Sequence, residues 1–287
     1  MSSPNLKKLR DKIDQIDDRI LELLNSRAHV VLEVGKTKAG ESREFYVPSR
    51  ERAIFERLQT GNPGPFPNES VCRVFREIIS ASLSLELPMK VAFLGPQSTF
   101  THVAAMEQFG LSAQLVPQKS IPSVFEEVER GRAHYGVVPV ENSTEGVVNH
   151  TLDMFISSEL QVIAEILLEI SHDLLSKSGK LEQIVKVVSH PQALAQCRHW
   201  LEENLPDTPQ MDVASTAAAA QMAAEDESVA AVASQAAARQ YGLQVVKGKI
   251  EDNSNNFTRF LVIGRRTPDP SGRDKTSIMF SVRDEPG

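Results

Sequence analysis

The chain has 287 residues, a formal net charge of −7 and a pI near 5.6, and these totals exclude several classes of protein. A nucleic-acid-binding protein would need a basic face, which an acidic chain does not favour. The two cysteines lie far apart in unlike contexts, which excludes a disulfide framework and predicts a reducing cytoplasm. Since no apolar run is long enough to span a bilayer, we expect no membrane partner. The length favours two domains.

The sequence also lacks the spacing of the common cofactor sites. The seven histidines are scattered, and none pairs with a cysteine or another histidine at metal-ligand intervals. Residues 131–136 have the span of a P-loop, but Val137 follows where lysine is required, and no G-x-G motif occurs. These patterns predict chemistry on a small molecule without a metal or a cofactor.

The first helix is predicted from apolar residues that alternate steps of three and four, which is typical of one buried stripe. They are Leu6, Leu9, Ile13, Ile16, Ile20 and Leu23. The stripe continues through Val30 and Val34, and nothing breaks it before Gly40, so the helix should exceed 30 residues and reach roughly 50 Å. A domain of about 85 residues is nearer 30 Å across. The helix would therefore overhang its own fold, which predicts an intertwined dimer.

Two shorter helices should follow, and the pattern then changes. Pro48 opens the second helix, and Asn68 caps the third. After Pro88, short apolar runs alternate with helical stretches, which predicts an α/β fold with a largely parallel sheet. One sheet or two lobes would fit, and we prefer two lobes with a ligand cleft. The predicted domains are 1–88 (helical), 89–265 (α/β) and 266–287 (a linker and one strand of a third domain).

Charged residues interrupt the apolar stripe of the first helix. Arg27 takes a heptad position, and Lys38 lies about 20° away around the helix. Buried cations need anionic partners, and the inward stripes offer Glu51 and Glu86. Arg10 faces about 260° away from Arg27, so it could serve only the site of a partner subunit. Taken singly, each cation is more simply explained as snorkelling from a solvated helix, whereas all of them together favour a binding site.

The segments LKKLRDKIDQIDDRILELLNSRAHVVLEVGKTK, SRERAIFERL and VFREIISASLSLE resemble the helical chorismate mutase family. The resemblance implies a unimolecular rearrangement of chorismate to prephenate in a dimeric site. Catalysis would then consist of holding a compact conformer and stabilising charge on the ether oxygen. The residues carried over are the catalytic Lys38, Glu86 and Arg27, and the substrate-binding Arg10 (from the partner subunit), Arg50, Glu51 and Ser82.

Two positions depart from that family's pattern. Glu86 stands where many relatives carry glutamine, and only a protonated acid could donate a hydrogen bond to the ether oxygen. We therefore expect mutase activity to rise as pH falls, and Glu86→Gln to flatten the pH profile. Val47 replaces an acidic side chain of some relatives, so one contact with a substrate hydroxyl would be missing.

In the α/β part, hydroxyl-rich turns follow apolar strands at 97–101, 141–144 and 215–216. Each alone is typical of a simple N-cap, whereas several converging on one cleft would suit a dicarboxylate. The motifs GPQSTFTHVAA, VVPVENSTEGVVNHTLDMF and NNFTRFLVIG resemble prephenate dehydratase over residues 90–264. The resemblance implies a two-lobed, periplasmic-binding-protein-like fold that converts prephenate to phenylpyruvate.

The dehydratase residues follow from this resemblance. Thr258 is expected to be catalytic, as a hydrogen-bond donor to the departing hydroxyl, because it is too weak an acid to protonate it outright. The substrate-binding residues are Ser98, Thr99, Asn142, Ser143, Thr144, Ser189, His190, Gln196, Arg259 and Phe260. Gln97-Ser98 replaces the usual Glu-Gly. His190 could be an acid or a structural residue, and Arg259 could bind a carboxylate or pair within the protein.

The final segment TSIMFSVRDEPG resembles the first strand of an ACT domain, which binds phenylalanine in related enzymes. Because the rest of that domain is not in the sequence, we expect phenylalanine inhibition to be lost or weakened. From the long first helix and the two isolated cysteines, we expect a cytoplasmic homodimer or higher homo-oligomer. The main rival hypothesis is a two-lobed small-molecule binding module with a helical dimerisation arm. A fused mutase–dehydrogenase is a second rival, against which the missing dinucleotide fingerprint argues.

Overall fold

The computed structural model describes residues 4–38, 46–144, 146–267, 269–270, 272, 274–278 and 280. Its helices are α1 (Pro4–Lys38), α2 (Pro48–Thr60), α3 (Asn68–Glu86), α4 (Phe100–Phe109), α5 (Ile121–Glu129), α6 (Asn149–Ser157), α7 (Pro191–Gln196), α8 (Arg198–Asn204), α9 (Thr216–Glu225) and α10 (Gln235–Tyr241). Its strands are β1 (Lys90–Leu94), β2 (Gln114–Gln118), β3 (Tyr135–Asn142), β4 (Gly146–Val147), β5 (Gln161–Glu169), β6 (Asp173–Ser176), β7 (Lys186–Ser189), β8 (Gln210–Asp212), β9 (Val229–Ala233), β10 (Gln244–Lys247) and β11 (Phe257–Gly264). No helix in these ranges is long and apolar enough to cross a membrane.

Helix α1 is as long as its periodicity predicts. It has 35 residues, which corresponds to about 52 Å. It packs on α3, but its first half extends beyond the other helices, and Ile13, Ile16 and Leu23 are 56%, 55% and 68% exposed. The apolar stripe therefore faces solvent in a single chain.

The first lobe of the α/β part contains a sheet with strand order β2-β1-β3-β11-β5, and β4 pairs with β3. Strand β1 runs parallel to β2 and β3, whereas β11 runs antiparallel to β3 and β5. Helices α4 and α5 cover this sheet. The core includes Phe93, Phe125 and Phe260, none more than 1% exposed.

The second lobe contains a sheet with strand order β10-β6-β9-β7-β8. Strands β9, β7 and β8 are parallel, β6 runs antiparallel to β9, and β10 pairs antiparallel with β6 and so runs in the same direction as β9. The two sheets confirm the two-lobed prediction. In each sheet most strands run the same way, as expected of a largely parallel sheet, and a strand that opposes them enters where the chain crosses between the lobes. After each crossing a strand enters its new sheet in the opposite direction: β6 beside β9, and β11 beside β3.

The two crossovers, residues 170–172 and 248–256, run side by side and pair with each other. The Ile170 amide donates to the carbonyl of Asn256 at 2.8 Å, and the Ile250 amide donates to the carbonyl of His172 at 2.8 Å. Both crossovers therefore form one paired segment between the lobes, and side chains on this segment can contact either lobe.

The helical part is joined to the first lobe through an aromatic cluster. The ring of Tyr46 lies 5.0 Å from that of Phe109 and 5.4 Å from that of Tyr135, centroid to centroid. A second contact joins α3 to α4, where the Ser80 hydroxyl donates to the carbonyl of Phe109 at 2.7 Å.

At the end of the chain, residues 276–278 have no regular structure, and most of the strand expected over 276–287 lies outside the described residues.

Candidate active sites

Arg27 and Ser82, both expected in the mutase site, meet between α1 and α3. The Arg27 guanidinium donates to the Ser82 hydroxyl, and it lies 3.4 Å from the carbonyl of Ile78. The Ser82 hydroxyl itself donates to that carbonyl at 2.6 Å, so its lone pairs remain to accept from Arg27. Arg27 of α1 and Ser82 of α3 are therefore held together where the inward faces of the two helices meet.

Arg50 contributes a second positive charge to this region. Burial lowers the pKa of Arg27, and repulsion from the Arg50 guanidinium lowers it further. Two neighbouring guanidinium groups repel each other until an anion lies between them. Because guanidinium forks match carboxylates, this pair can bind a dicarboxylate.

Glu86 lies one turn beyond Ser82 and packs against α1 at Gly35. A Cβ atom on Gly35 would lie 3.1 Å from Glu86 Cγ, so only glycine leaves ordinary space for this side chain. Glu86 Oε2 is buried and has no hydrogen-bond partner within the described ranges, which omit the side chain of Lys38. The sequence interpretation missed Gly35, although an isolated glycine inside a helical pattern is a signal of close packing.

The other two residues expected in the mutase site lie elsewhere in this chain. Glu51 Oε1 is 3.4 Å from Arg76 Nε, and burial raises the pKa of Glu51 while Arg76 opposes the rise. Glu51 therefore belongs to the junction beside Tyr46. Arg10 is exposed and lies seventeen residues before Arg27, or about 26 Å along the helix. It cannot reach Arg27 within one chain.

The expected dehydratase residues Thr258 and Asn142 lie opposite each other on the neighbouring strands β11 and β3. The Asn142 amide nitrogen donates to Thr258 Oγ1 at 2.8 Å and to Asn256 Oδ1 at 2.9 Å. Asn142 Oδ1 accepts from the Thr144 backbone amide at 3.0 Å, which fixes the orientation of the Asn142 side chain. The Ser143 hydroxyl accepts from the Phe257 amide at 2.9 Å.

Gln196 extends this cluster into the second lobe. Its Oε1 accepts from Asn256 Nδ2 at 3.1 Å and lies 2.9 Å from His172 Nε2. His172 is 2% exposed, and burial lowers the pKa of its imidazole. The sequence interpretation did not assign His172 or Asn256 to the site. Asn256 stands two residues before Thr258 in the motif NNFTRFLVIG, which was an available signal, whereas His172 was marked only by its place between two apolar strands.

Ser98 and Thr99 form the turn that leads into α4. Ser98 is buried with φ of +67°, a left-handed conformation that glycine adopts more readily. Its carbonyl faces the Ser234 hydroxyl of the second lobe at 3.4 Å. Thr99 caps α4, with its hydroxyl accepting from the His102 amide at 3.4 Å. The turn therefore contacts both lobes.

Ser189 and His190 lie at the end of β7 and have structural partners. The Ser189 hydroxyl is fully buried and donates to the carbonyl of Val232 at 2.6 Å. His190 caps α7, with its Nδ1 accepting from the Gln192 amide at 3.3 Å. For His190, this contact supports the structural alternative.

Arg259 and Phe260 follow Thr258, but both side chains are engaged within the protein. Arg259 pairs with Glu165 at 3.1 Å and with Glu141 at 3.6 Å, so pairing within the protein is the alternative that the structure supports. Phe260 is 1% exposed inside the core of the first lobe. Phe260 is therefore part of the core and has no surface left for contact with a substrate.

Comparison with known proteins agrees with both halves of this description. A family model for chorismate mutase type II matches residues 9–87, and one for prephenate dehydratase matches residues 91–268. The bifunctional chorismate mutase/prephenate dehydratase of Aquifex aeolicus is 52% identical over 98% of this chain and 79% of its own length. The Pseudomonas aeruginosa protein of the same name is 44% identical over the same shares.

A solved structure shows the same α/β fold. The prephenate dehydratase of Arthrobacter aurescens, in complex with L-Phe, superposes with a TM-score of 0.60 at 36% identity, covering 64% of this chain and 63% of its own. The two family matches, the relatives that align over 98% of this chain and the shared fold all support the same family. The chain belongs to the bifunctional chorismate mutase/prephenate dehydratase family of phenylalanine biosynthesis.

Proposed function

We propose that the chain rearranges chorismate to prephenate at a site shared by two α1 helices, and converts prephenate to phenylpyruvate between the two lobes of its α/β part. The division between the activities would fall near residue 88, where α3 ends and β1 begins. We place the enzyme in the cytoplasm, which agrees with the free state of Cys72 and Cys197. The binding-module alternative is not favoured, since the relatives are enzymes in both halves.

For the mutase, the Arg27–Ser82 contact beside Arg50 supports a dicarboxylate site. Arg27 and Arg50 would bind the two carboxylates, and Ser82 would orient Arg27. Lys38 and Glu86 would flank the ether oxygen, where negative charge builds as the C–O bond breaks. Because Arg10 lies about 26 Å away along α1, its role requires that it enter the site from the partner subunit.

For the dehydratase, the carrying observation is the hydrogen bond from Asn142 to Thr258. Because the Thr258 oxygen accepts this bond, its own hydrogen is available to the substrate. The ring carboxylate of prephenate leaves as carbon dioxide, and the electrons of the broken C–C bond move into the ring. This expels hydroxide from the opposite carbon and makes the ring aromatic. Thr258 would donate a hydrogen bond to that hydroxide as its negative charge develops.

The test is a matched pair of substitutions at Thr258. Thr258→Ser keeps the hydroxyl, whereas Thr258→Val keeps the shape and removes the donor. We expect Thr258→Val to lower dehydratase kcat by about 100-fold or more, in line with the loss of one donor to a developing oxyanion. Thr258→Ser should retain most of the activity, and mutase activity serves as the internal control. An active Thr258→Val enzyme would show that this hydroxyl is not the donor.

A further inference from the structure

Five side chains form a continuous hydrogen-bonded row from the first lobe to the second. The row, here called the amide relay, consists of Thr258, Asn142, Asn256, Gln196 and His172. It begins on β11 and β3, passes through one crossover, enters α7 and ends on the other crossover. Each of its four contacts has a donor–acceptor distance between 2.8 and 3.1 Å.

The direction of every hydrogen bond in the relay can be derived. The backbone amide of Thr144 donates to Asn142 Oδ1, so the Asn142 nitrogen must face Thr258 and Asn256. Asn256 Oδ1 accepts this donation, so the Asn256 nitrogen faces Gln196 Oε1. Gln196 Oε1 accepts this hydrogen bond and can only be an acceptor. The atom that faces it from His172, Nε2, must therefore be a donor. His172 must therefore carry its proton on Nε2.

His172 is held by contacts that suit this tautomer. Its ring is 2% exposed and meets the ring of Phe100 edge-on, at 5.4 Å between centroids. Its backbone amide donates to Glu251 at 2.8 Å, which fixes the start of the side chain. Nδ1 is buried and has no hydrogen-bond partner among the residues that the structure describes. A proton on Nδ1 would be an unpaired buried donor, which costs free energy.

We propose that His172 is a positioning residue for the dehydratase reaction, whose Nε2–H holds the Gln196 amide and, through Asn256 and Asn142, keeps the Thr258 hydroxyl hydrogen directed at the substrate. The proposal rests on the proposed role of Thr258. Asn256 Nδ2 and His172 Nε2 both donate to Gln196 Oε1, so losing the His172 donor removes one of the two relay contacts that hold the Gln196 amide in this orientation and makes a flip easier. A flipped Gln196 would present its nitrogen to the nitrogen of Asn256, and the mismatch would pass along the relay.

The competing explanation is that His172 only fills space between the lobes. Two substitutions separate the explanations. His172→Phe keeps an aromatic ring against Phe100 but removes the donor, whereas His172→Gln places an amide donor near the position of Nε2 but removes the ring. A packing role predicts that phenylalanine is the better replacement. A positioning role predicts that glutamine is.

The experiment measures dehydratase kcat and KM, mutase activity and Tm for both variants of the full chain. We expect His172→Phe to lower dehydratase kcat by about tenfold with KM, mutase activity and Tm unchanged, because the lost contact acts in the transition state. His172→Gln should recover kcat to within about threefold of the parent. The proposal would be overturned if the His172→Phe enzyme had the kcat of the parent, or if the His172→Gln enzyme were less active than the His172→Phe enzyme.

A double-mutant cycle keeps the proposal testable if His172→Gln fails to fold. In the background of Thr258→Val, the substitution His172→Phe should cause no further loss, because its effect passes through the missing hydroxyl. A full additional tenfold loss would overturn the relay, whatever the role of Thr258. If Thr258→Val is itself fully active, the proposed function of Thr258 fails first, and the two failures are thereby distinguished.

Discussion

Replacing Ile16 of α1 with lysine is expected to dissociate the expected dimer and to abolish mutase activity, whereas dehydratase activity should remain. Ile16 is 55% exposed in the single chain, which leaves about 100 Å² of its apolar surface for the partner to cover. At about 25 cal/mol per Å², that area contributes roughly 2.5 kcal/mol per subunit and about 5 kcal/mol per symmetric dimer. Losing it should weaken dimerisation by more than about 1,000-fold, before the cost of burying a charge is added.

The assay combines sedimentation equilibrium with separate measurements of both activities. The matched control is Asp18→Asn, which makes the same change of charge on the opposite face of the helix. The control should remain a dimer with both activities. Ile16→Lys should give a monomer without mutase activity, because Arg10 can enter the site only from a partner.

Two results would refute this reasoning. A monomeric Ile16→Lys protein with full mutase activity would mean that one chain contains a complete site. A dimer as tight as the parent would mean that the exposed stripe of α1 is not the contact between subunits.

Three further predictions concern the two sites. Glu86→Gln should flatten the pH profile of mutase kcat/KM, because a glutamine amide can donate to the ether oxygen at every pH, and a profile still parallel to that of the parent would contradict the role of Glu86. Gly35→Ala should lower mutase kcat several-fold by crowding the Glu86 side chain 3.1 Å away. Its Tm should change little, since the gain in helix propensity offsets the crowding. Unchanged mutase kinetics would show that Glu86 moves aside freely. Asn142→Asp should lower dehydratase kcat about 100-fold, because an acceptor replaces the donor to Thr258 and Asn256. An active Asn142→Asp enzyme with normal mutase activity would contradict the directed bond to Thr258.

The helical part could be predicted almost entirely from the sequence, because helix formation depends on near neighbours. The three-four spacing of apolar residues in α1 predicts its length, and Pro48 and Asn68 predict where α2 and α3 begin. The expected cap at Asn68 is wrong, because Asn68 is the first helical residue of α3 and Pro67 takes the N-cap position. The meeting of Arg27 with Ser82 also follows, since each lies on the inward stripe of its own helix. The contact of Glu51 with Arg76 could not be predicted in this way, because it depends on how α2 packs on α3 at the junction with the first lobe.

Strand direction in the α/β part depended on the tertiary structure. Local patterns identify β1, β3 and β11 as strands, but they carry no information about which neighbour each strand chooses. That choice depends on the two crossovers, which return β11 to the first lobe in the opposite direction. The same pairing brings Arg259 to Glu141 and Glu165, and thereby supports the alternative in which Arg259 pairs within the protein.

The sequence by itself determined the two families, and it supplied most of the residues that we expect to carry their chemistry. Only the tertiary structure showed that His172 and Asn256 belong with Asn142, Gln196 and Thr258. The hydrogen bond from Asn142 to Thr258 spans 116 residues of sequence, and that between His172 and Gln196 spans 24. Contacts at such separations leave no periodic trace in the sequence. They arise only when two sheets and two crossovers have packed together, because the hydrogen-bond partners of a buried polar group are whatever the fold places beside it.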